Sequence, residues 1–286
     1  MKLILKMLIL FVSGLGLISC SLSQKETNGP ISLSLEGIPG HKDNYAIHSQ
    51  TLVENVSTDK LLHQKIEIVE FDVATEISKI DKKNSTVAID TKTTKKEGSL
   101  SLHDMAYPEL DETIHFVFDS RGRVIQAGKH NPGTIFFVSP LPLPDKIVKV
   151  GDTWTYKTEW VTLESQMPMK LELVMVLKKA IKCFGNEYCA EIEWSGKVFP
   201  DQIKMPIESK ISGYSLYRPK TGSQIWTWSR NEETLELQGV KMKVSTCIQS
   251  ILKSEKSKIN PFAGRAPVCD PADANGPLPN VAKVKI

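Results

Sequence analysis

The residues of this sequence that could carry out chemistry are few and scattered. The six histidines are His41, His48, His63, His103, His115 and His130. None of them forms an H-E-x-x-H motif or a comparably close pair, the spacings that place two imidazoles on one metal ion. The sequence also lacks the G-x-S-x-G turn of a serine hydrolase and the glycine-rich loops that bind phosphates. The pattern predicts no enzyme, no metal and no cofactor, and we interpret His115 as an ordinary surface histidine of a strand.

Four cysteines lie in the second half of the chain: Cys183, Cys189, Cys247 and Cys269. An even number favours two disulfides, for which three pairings exist. Zinc binding is the alternative, but no histidine follows His130 and the cysteine spacing matches no usual zinc pattern. The segment FGNEY between Cys183 and Cys189 resembles a hairpin turn. A local Cys183–Cys189 disulfide would leave Cys247 to pair with Cys269.

Alternation along the strands predicts where two of these cysteines point. Cys189 has the parity of Glu191 and Glu193, and Cys247 has the parity of two lysines. Since successive strand residues face opposite sides of a sheet, both cysteines should point toward solvent.

A fifth cysteine, Cys20, ends a short apolar run near the start of the chain. Lys2 and Lys6 are followed by a mostly apolar segment up to Ile18, the layout of an export signal. The run is too short and interrupted for a membrane span of about 20 apolar residues. The residues Leu17-Ile18-Ser19-Cys20 resemble the lipobox of bacterial lipoproteins. The alternatives are an ordinary secretory signal or an N-terminal helix with a buried cysteine.

The lipobox resemblance implies removal of residues 1–19 and attachment of acyl chains such as palmitate to Cys20. Several buried acyl chains, at about 0.8 kcal/mol per methylene, would anchor the protein to a membrane of the bacterial envelope. Ser21 stands where an aspartate retains some lipoproteins at the inner membrane, so the resemblance favours the outer membrane, facing the periplasm or the surface.

Large apolar side chains in the second half suggest a candidate ligand surface. Trp226 and Trp228 share one strand face, and Tyr214 and Leu216 alternate in the same way on the preceding strand, with Trp194 on the strand before. Such a stripe could line an apolar cavity for an acyl chain. The alternative interpretation is a well-filled core, because aromatic side chains dominate core packing.

Apolar alternation predicts a mainly β protein whose antiparallel sheet forms a half-barrel or a sandwich. Ile114, Phe116 and Phe118 alternate with His115 and Val117, and similar patterns recur along the chain between turn-like segments. Ile66 and Ile68 break the parity that starts at Val69, which predicts a β-bulge there.

Two related β units are predicted, because a strand–turn–strand pattern at 64–94 recurs at 168–198. The predicted organisation is a signal peptide (1–19), a lipidated tether (20–30), β unit 1 (31–138), a proline-rich connection (139–153), β unit 2 (154–253) and an irregular tail (254–286). VKVGDTW at 148–154 is similar to a segment of uncharacterised, duplicated β-rich bacterial lipoproteins. That resemblance implies a fold and no activity.

The charge balance excludes one class of partner. Without Lys2 and Lys6, 34 basic residues face 33 acidic ones, a formal charge of +1. Such a chain has no basic footprint for nucleic acid. We expect a non-catalytic, membrane-anchored lipoprotein that binds a lipid or another hydrophobic ligand. The alternative is a structural or assembly lipoprotein that contacts an envelope protein partner and holds no ligand.

Overall fold

The computed structural model describes residues 29–55, 64–164, 166–183, 187–201, 208–237, 240–253 and 269. They form strands and two single-turn 3₁₀ helices, His103–Met105 and Ile135–Phe137. The strands are β1 (Lys42–Asn55), β2 (Gln64–Asp81), β3 (Thr86–Glu97), β4 (Thr113–Asp119), β5 (Val124–Ala127), β6 (Thr153–Val161), β7 (Pro168–Lys182), β8 (Tyr188–Pro200), β9 (Glu208–Arg218), β10 (Ser223–Leu237) and β11 (Val240–Leu252). The prediction of a mainly β protein is confirmed.

All these strands belong to one antiparallel sheet in the order β5-β4-β3-β2-β1-β11-β10-β9-β8-β7-β6. Strands β5 and β6 occupy the two edges, so the sheet is not closed. A sandwich would need a second sheet facing the first. Of the two predicted architectures, the half-barrel is therefore the one that the described residues form.

The sheet consists of two five-stranded meanders joined by one further strand. Strands β1 to β5 are successive neighbours, as are β6 to β10, and β11 lies between β1 and β10. The hairpin turns after β4 and β9 both place a glycine in the left-handed region, with φ of 72° at Gly122 and 75° at Gly222. The two meanders thus lie side by side in a single sheet.

The β-bulge expected near Ile68 is absent from the pairing of β2 with β1, which runs in regular register through Ile66, Ile68 and Val69. The register of β2 shifts instead against β3, between Asp72 and Val73 and between Ile77 and Lys79. Ile66 and Ile68 lie on the outer face and are about half exposed, at 51% and 48%. The prediction was wrong because it assumed that every isoleucine of the strand is buried.

The sheet is curved, and one of its faces lies on the inside of the curve. Ile77 and Val87, on β2 and β3, share one hydrophobic cluster with Met175 and Ile192, on β7 and β8. Four strands separate β2 from β8 in the sheet. The sheet must therefore bend so that the two arms approach each other, and we call the face that carries these four residues the concave face.

One end of the concave face is filled by the protein's own chain. Leu33 and Leu35, before β1, and Leu141 and Leu143, before β6, are buried in the shared cluster. The two segments also pair with each other through a bridge between Ile31 and Val148. Leu141, Leu143 and Val148 of the predicted proline-rich connection therefore form part of the core. We call this the filled end of the concave face.

The segment after β5 spans the gap between the two edges of the sheet. Thr134 forms a bridge with Val161 of β6, and the Val161 N–H donates to the Gly133 carbonyl at 2.7 Å. Phe136 is buried against Ile114 and Phe116 of β4. The edge strands are thereby partly covered, which limits the backbone groups available for pairing with another chain.

Candidate functional site

The predicted lipid anchor lies outside the described residues. Cys20, the predicted export signal (1–19) and the predicted tether up to residue 28 are not among the described residues. Of the predicted tail, only Cys269 is described. Within the described residues, no helix is long and apolar enough to cross a membrane.

Both predicted disulfides are confirmed. Cys183 is bonded to Cys189, and Cys247 is bonded to Cys269. The predicted exposure of Cys189 and Cys247 to solvent, however, is wrong, because both side chains are fully buried. Parity identifies the face on which a side chain lies, but other side chains cover that face here: Cys189 packs with Leu216, and Cys247 packs with Trp226 and Trp228.

The five predicted ligand-lining residues do not form one surface. Trp194 lies on the concave face in the main cluster, opposite Gly213 of β9. Tyr214, Trp226 and Trp228 lie on the opposite, convex face with the Cys247–Cys269 disulfide. Leu216 belongs to a separate cluster with Cys189.

The convex aromatic cluster is a packed region of the fold. The Tyr214 ring stacks with Trp228 at 5.6 Å and lies 4.6 Å from Trp226 between centroids. Both tryptophans are more than nine-tenths buried. The Cys269 N–H donates to Gln50 Oε1 at 3.2 Å, which fixes this tail residue against β1. For these aromatic residues the alternative interpretation, core packing, describes the geometry.

A partly exposed apolar surface lies on the concave face at the end opposite the filled one. Trp160, Val198 and Ile211 are half-buried and pack against the main cluster, next to the buried Leu171 and Trp194. They come from the end of β6, the end of β8 and the start of β9. We call this surface, defined by Trp160, Val198 and Ile211, the apolar wall.

A line of hydrogen-bonded polar side chains runs beside the apolar wall. Ser209, directly opposite Val198, donates to Asn231 Oδ1 at 2.8 Å, and Asn231 Nδ2 donates to Glu233 Oε1 at 2.8 Å. The hydroxyls of Thr51 and Thr246 continue the line across β1 and β11 at 3.2 Å. The concave face therefore offers an apolar side and a polar side to one ligand, a combination typical of sites for amphipathic molecules.

The structure also brings together three side chains that the sequence did not connect: His103, Glu112 and His130. His103 Nε2 lies 2.6 Å from Glu112 Oε2. Burial acts to raise the pKa of Glu112, but its hydrogen bonds with His103 and the Glu109 N–H hold that pKa below its usual value. Burial and the neighbouring His103 lower the pKa of His130. No local motif could have revealed this cluster, because its members come from three separate segments.

Comparisons with known proteins give matches among solved structures. No protein-family model and no curated protein matches the sequence. Among solved structures, the chain is similar to lipovitellin in a structure concerned with lipid–protein interactions, with 10% identity and a TM-score of 0.45. That match covers 77% of this chain and 26% of the lipovitellin chain, so the protein spans about a quarter of that relative.

A second similarity is to Ail, the attachment invasion locus protein of Yersinia pestis, in complex with the heparin analogue sucrose octasulfate. The identity is 8% and the TM-score 0.17, with 75% of this chain and 99% of Ail covered.

Proposed function

We propose that this protein is a non-catalytic lipoprotein of the bacterial envelope, anchored through Cys20, that binds an amphipathic lipid on its concave face. The observation that carries the ligand-binding part is the apolar wall next to the polar line of Ser209, Asn231 and Glu233. The acyl chain of a lipid would cover the wall, and its headgroup would contact the polar line.

The energetic reason for binding is the apolar surface that remains partly exposed. Covering apolar surface is favourable by about 25 cal/mol per Å², so an acyl chain across three large side chains would gain several kcal/mol before the costs of ordering. A polar group placed at Glu233 or Asn231 would orient the ligand, since directional hydrogen bonds specify a position that apolar contacts do not.

Displacement of a fluorescent fatty acid from the purified full-length protein tests this proposal. Ile211→Glu would place a charge within the apolar wall and should weaken binding at least tenfold, about 1.4 kcal/mol. The matched control is Val174→Glu, which adds the same charge on the convex side of β7, where Val174 is 51% exposed. Equal affinities of the two variants would place the ligand elsewhere.

Native mass spectrometry of the protein purified from its own host tests whether a lipid is present at all. A co-purified lipid that is lost from Ile211→Glu and retained by Val174→Glu would support the proposal. Protein recovered without any lipid would favour the alternative, a structural or assembly lipoprotein. The filled end of the concave face favours that alternative, because there the protein buries its own leucines.

The anchoring part of the proposal has its own test. Cys20→Ser should abolish acylation and leave the signal uncleaved at this site, whereas Cys183→Ala should do neither. Intact mass and detergent partitioning of the exported protein measure both effects. Wild-type protein without acyl mass on Cys20 would contradict anchoring and leave the ligand-binding part unaffected.

A further inference from the structure

The cluster of His103, Glu112 and His130 has the composition of a metal site. His103 lies in the first 3₁₀ helix, Glu112 immediately precedes β4, and His130 follows β5. One ligand atom from each residue lies within 4.8 Å of the other two, and this is the one such group of three found among the described residues. Its side chains are half-buried, in contrast to the exposed acidic groups common on protein surfaces.

The hydrogen bonds within the cluster leave the Glu112 carboxylate able to bind a cation. Glu112 Oε2 lies 2.6 Å from His103 Nε2 and accepts from the Glu109 N–H at 3.0 Å. Glu112 Oε1 lies 3.6 Å from Lys129 Nζ, whose side chain is 85% exposed. The lysine can therefore turn into solvent when another cation approaches the carboxylate.

His130 supplies the second, independent observation. Its Nε2 atom is buried and has no hydrogen-bond partner among the described residues. Its ring stacks on Phe136 with 3.7 Å between centroids and lies 5.5 Å from the His103 ring. A buried nitrogen without a partner costs about 1–3 kcal/mol, so such an atom calls for an explanation. A metal ion bound to Nε2 provides one.

We propose that His103, Glu112 and His130 bind a divalent transition-metal ion of the zinc class. Two imidazole nitrogens and one carboxylate oxygen are a ligand set that Zn²⁺ accepts, with a fourth position left for water. Zinc–nitrogen distances of about 2.1 Å imply ligand atoms about 3.4 Å apart in a tetrahedron. Ligand atoms as far apart as 4.8 Å would close by about 1.4 Å, whereas His103 Nε2 and Glu112 Oε2, which are 2.6 Å apart, would separate by about 0.8 Å. Both movements are within reach of side-chain rotation.

The metal would connect two segments of the chain that are separated by β4 and β5. His103 and Glu112 belong to the connection between β3 and β4, whereas His130 begins the segment that spans the two sheet edges. Binding would therefore stabilise the folded state through mass action, because the unfolded chain does not hold these ligands together. This site does not depend on the proposed lipid binding.

Calorimetric titration of the full-length, disulfide-bonded protein with ZnCl₂, after treatment with a chelator, tests the site. We expect one Zn²⁺ per chain and a rise in melting temperature upon binding. His130→Ala and Glu112→Gln should each weaken binding by at least about 10- to 100-fold, the loss that even outer-shell partners of metal ligands cause. Co²⁺ should give the visible absorption of a four-coordinate ion in the wild type and lose it in His130→Ala.

His115→Ala is the matched control, because it removes another histidine that is paired with a carboxylate. His115 Nδ1 lies 2.6 Å from Asp90 Oδ1, without a third ligand atom. Zinc affinity should be unchanged in this variant. Circular dichroism of each variant establishes that it is folded, and Glu112→Gln, which keeps shape and volume, serves where His130→Ala does not fold. Absence of Zn²⁺ binding to the wild type, or equal affinity of the wild type and folded Glu112→Gln, would overturn the proposal.

Discussion

Gly213→Ala probes a crowded contact of the concave face. A Cβ atom at position 213 would lie 2.4 Å from Cζ2 of Trp194 and 2.5 Å from the carbonyl oxygen of Trp228. Gly213 is paired with Trp194 across β8 and β9, and its backbone does not adopt a positive φ. The expected destabilisation is therefore steric, and not a loss of conformational freedom.

The magnitude follows from the packing of Trp194. Carbon atoms are in favourable contact at about 3.5–4.0 Å, so the indole ring must move by more than about 1 Å. Trp194 is only 9% exposed within the main cluster, and overpacking of such a site costs about 1–3 kcal/mol. Replacing a strand glycine by alanine also stabilises the folded state by about 0.5–1 kcal/mol, because alanine loses less conformational entropy on folding. We expect Gly213→Ala to lower the free energy of unfolding by about 1 kcal/mol.

Urea denaturation of the four proteins of a double-mutant cycle measures this effect. Trp194→Phe removes the Cζ2 atom, so Gly213→Ala should cost at least about 0.5 kcal/mol less in that background. Trp226→Phe, on the convex face, is the control background and should give no such relief. An undiminished stability of Gly213→Ala, or equal costs in both tryptophan backgrounds, would refute the assigned contact.

Two further predictions concern the disulfides and Tyr107. Replacing both cysteines of the Cys247–Cys269 pair by alanine should lower the free energy of unfolding by about 3 kcal/mol, and replacing Cys183 and Cys189 should lower it by about 2 kcal/mol. The difference arises because the sequence separations are 22 and 6 residues. Urea denaturation without reductant measures both effects, and the reverse order would contradict the loop-entropy argument. Burial raises the pKa of Tyr107 to about 12, whereas the tyrosine of the unfolded chain has a pKa of about 10. The contribution of Tyr107 to the free energy of unfolding is therefore complete below about pH 10. It is lost as the pH rises from about 10 toward 12, by roughly 2–3 kcal/mol. Tyr107→Phe should therefore flatten the decline of unfolding free energy between pH 10 and 12, and parallel profiles of variant and wild type would disprove this assignment.

Local patterns in the sequence predicted the strands and the disulfide pairing well. Ile114 and Phe116 are buried on one side of β4 while His115 is exposed, as alternation indicates. The Cys183–Cys189 pairing followed from a hairpin turn, and the second pair followed from what remained. The strand and hairpin predictions succeeded because each depends on residues close together in the chain.

The predictions that failed depend on what packs against a surface. Parity placed Cys247 on the correct face, but only the tertiary structure shows that Trp226, Trp228 and Cys269 cover it. The same alternation could not reveal that Leu141 and Leu143 fill the concave face. Nor could residue spacing reveal the metal-site candidate, because Glu112 and His130 meet only after β4 and β5 have paired.

The position of β11 has a consequence for the order in which the protein folds. Each meander can pair as its strands emerge, because consecutive hairpins close only short loops. The pairing of β1 with β11, by contrast, joins residues such as Thr51 and Thr246, which are 195 positions apart. Contacts between such distant residues form slowly, since the entropy of loop closure must be overcome first.

Until β11 arrives, β1 and β10 each present an unpaired edge in what will become the middle of the sheet. Two half-sheets with open edges are a state prone to intermolecular strand pairing. Synthesis of the last strand therefore decides when the two halves become one cooperative unit. A chain ending before Val240 would be expected to aggregate even though both meanders are complete.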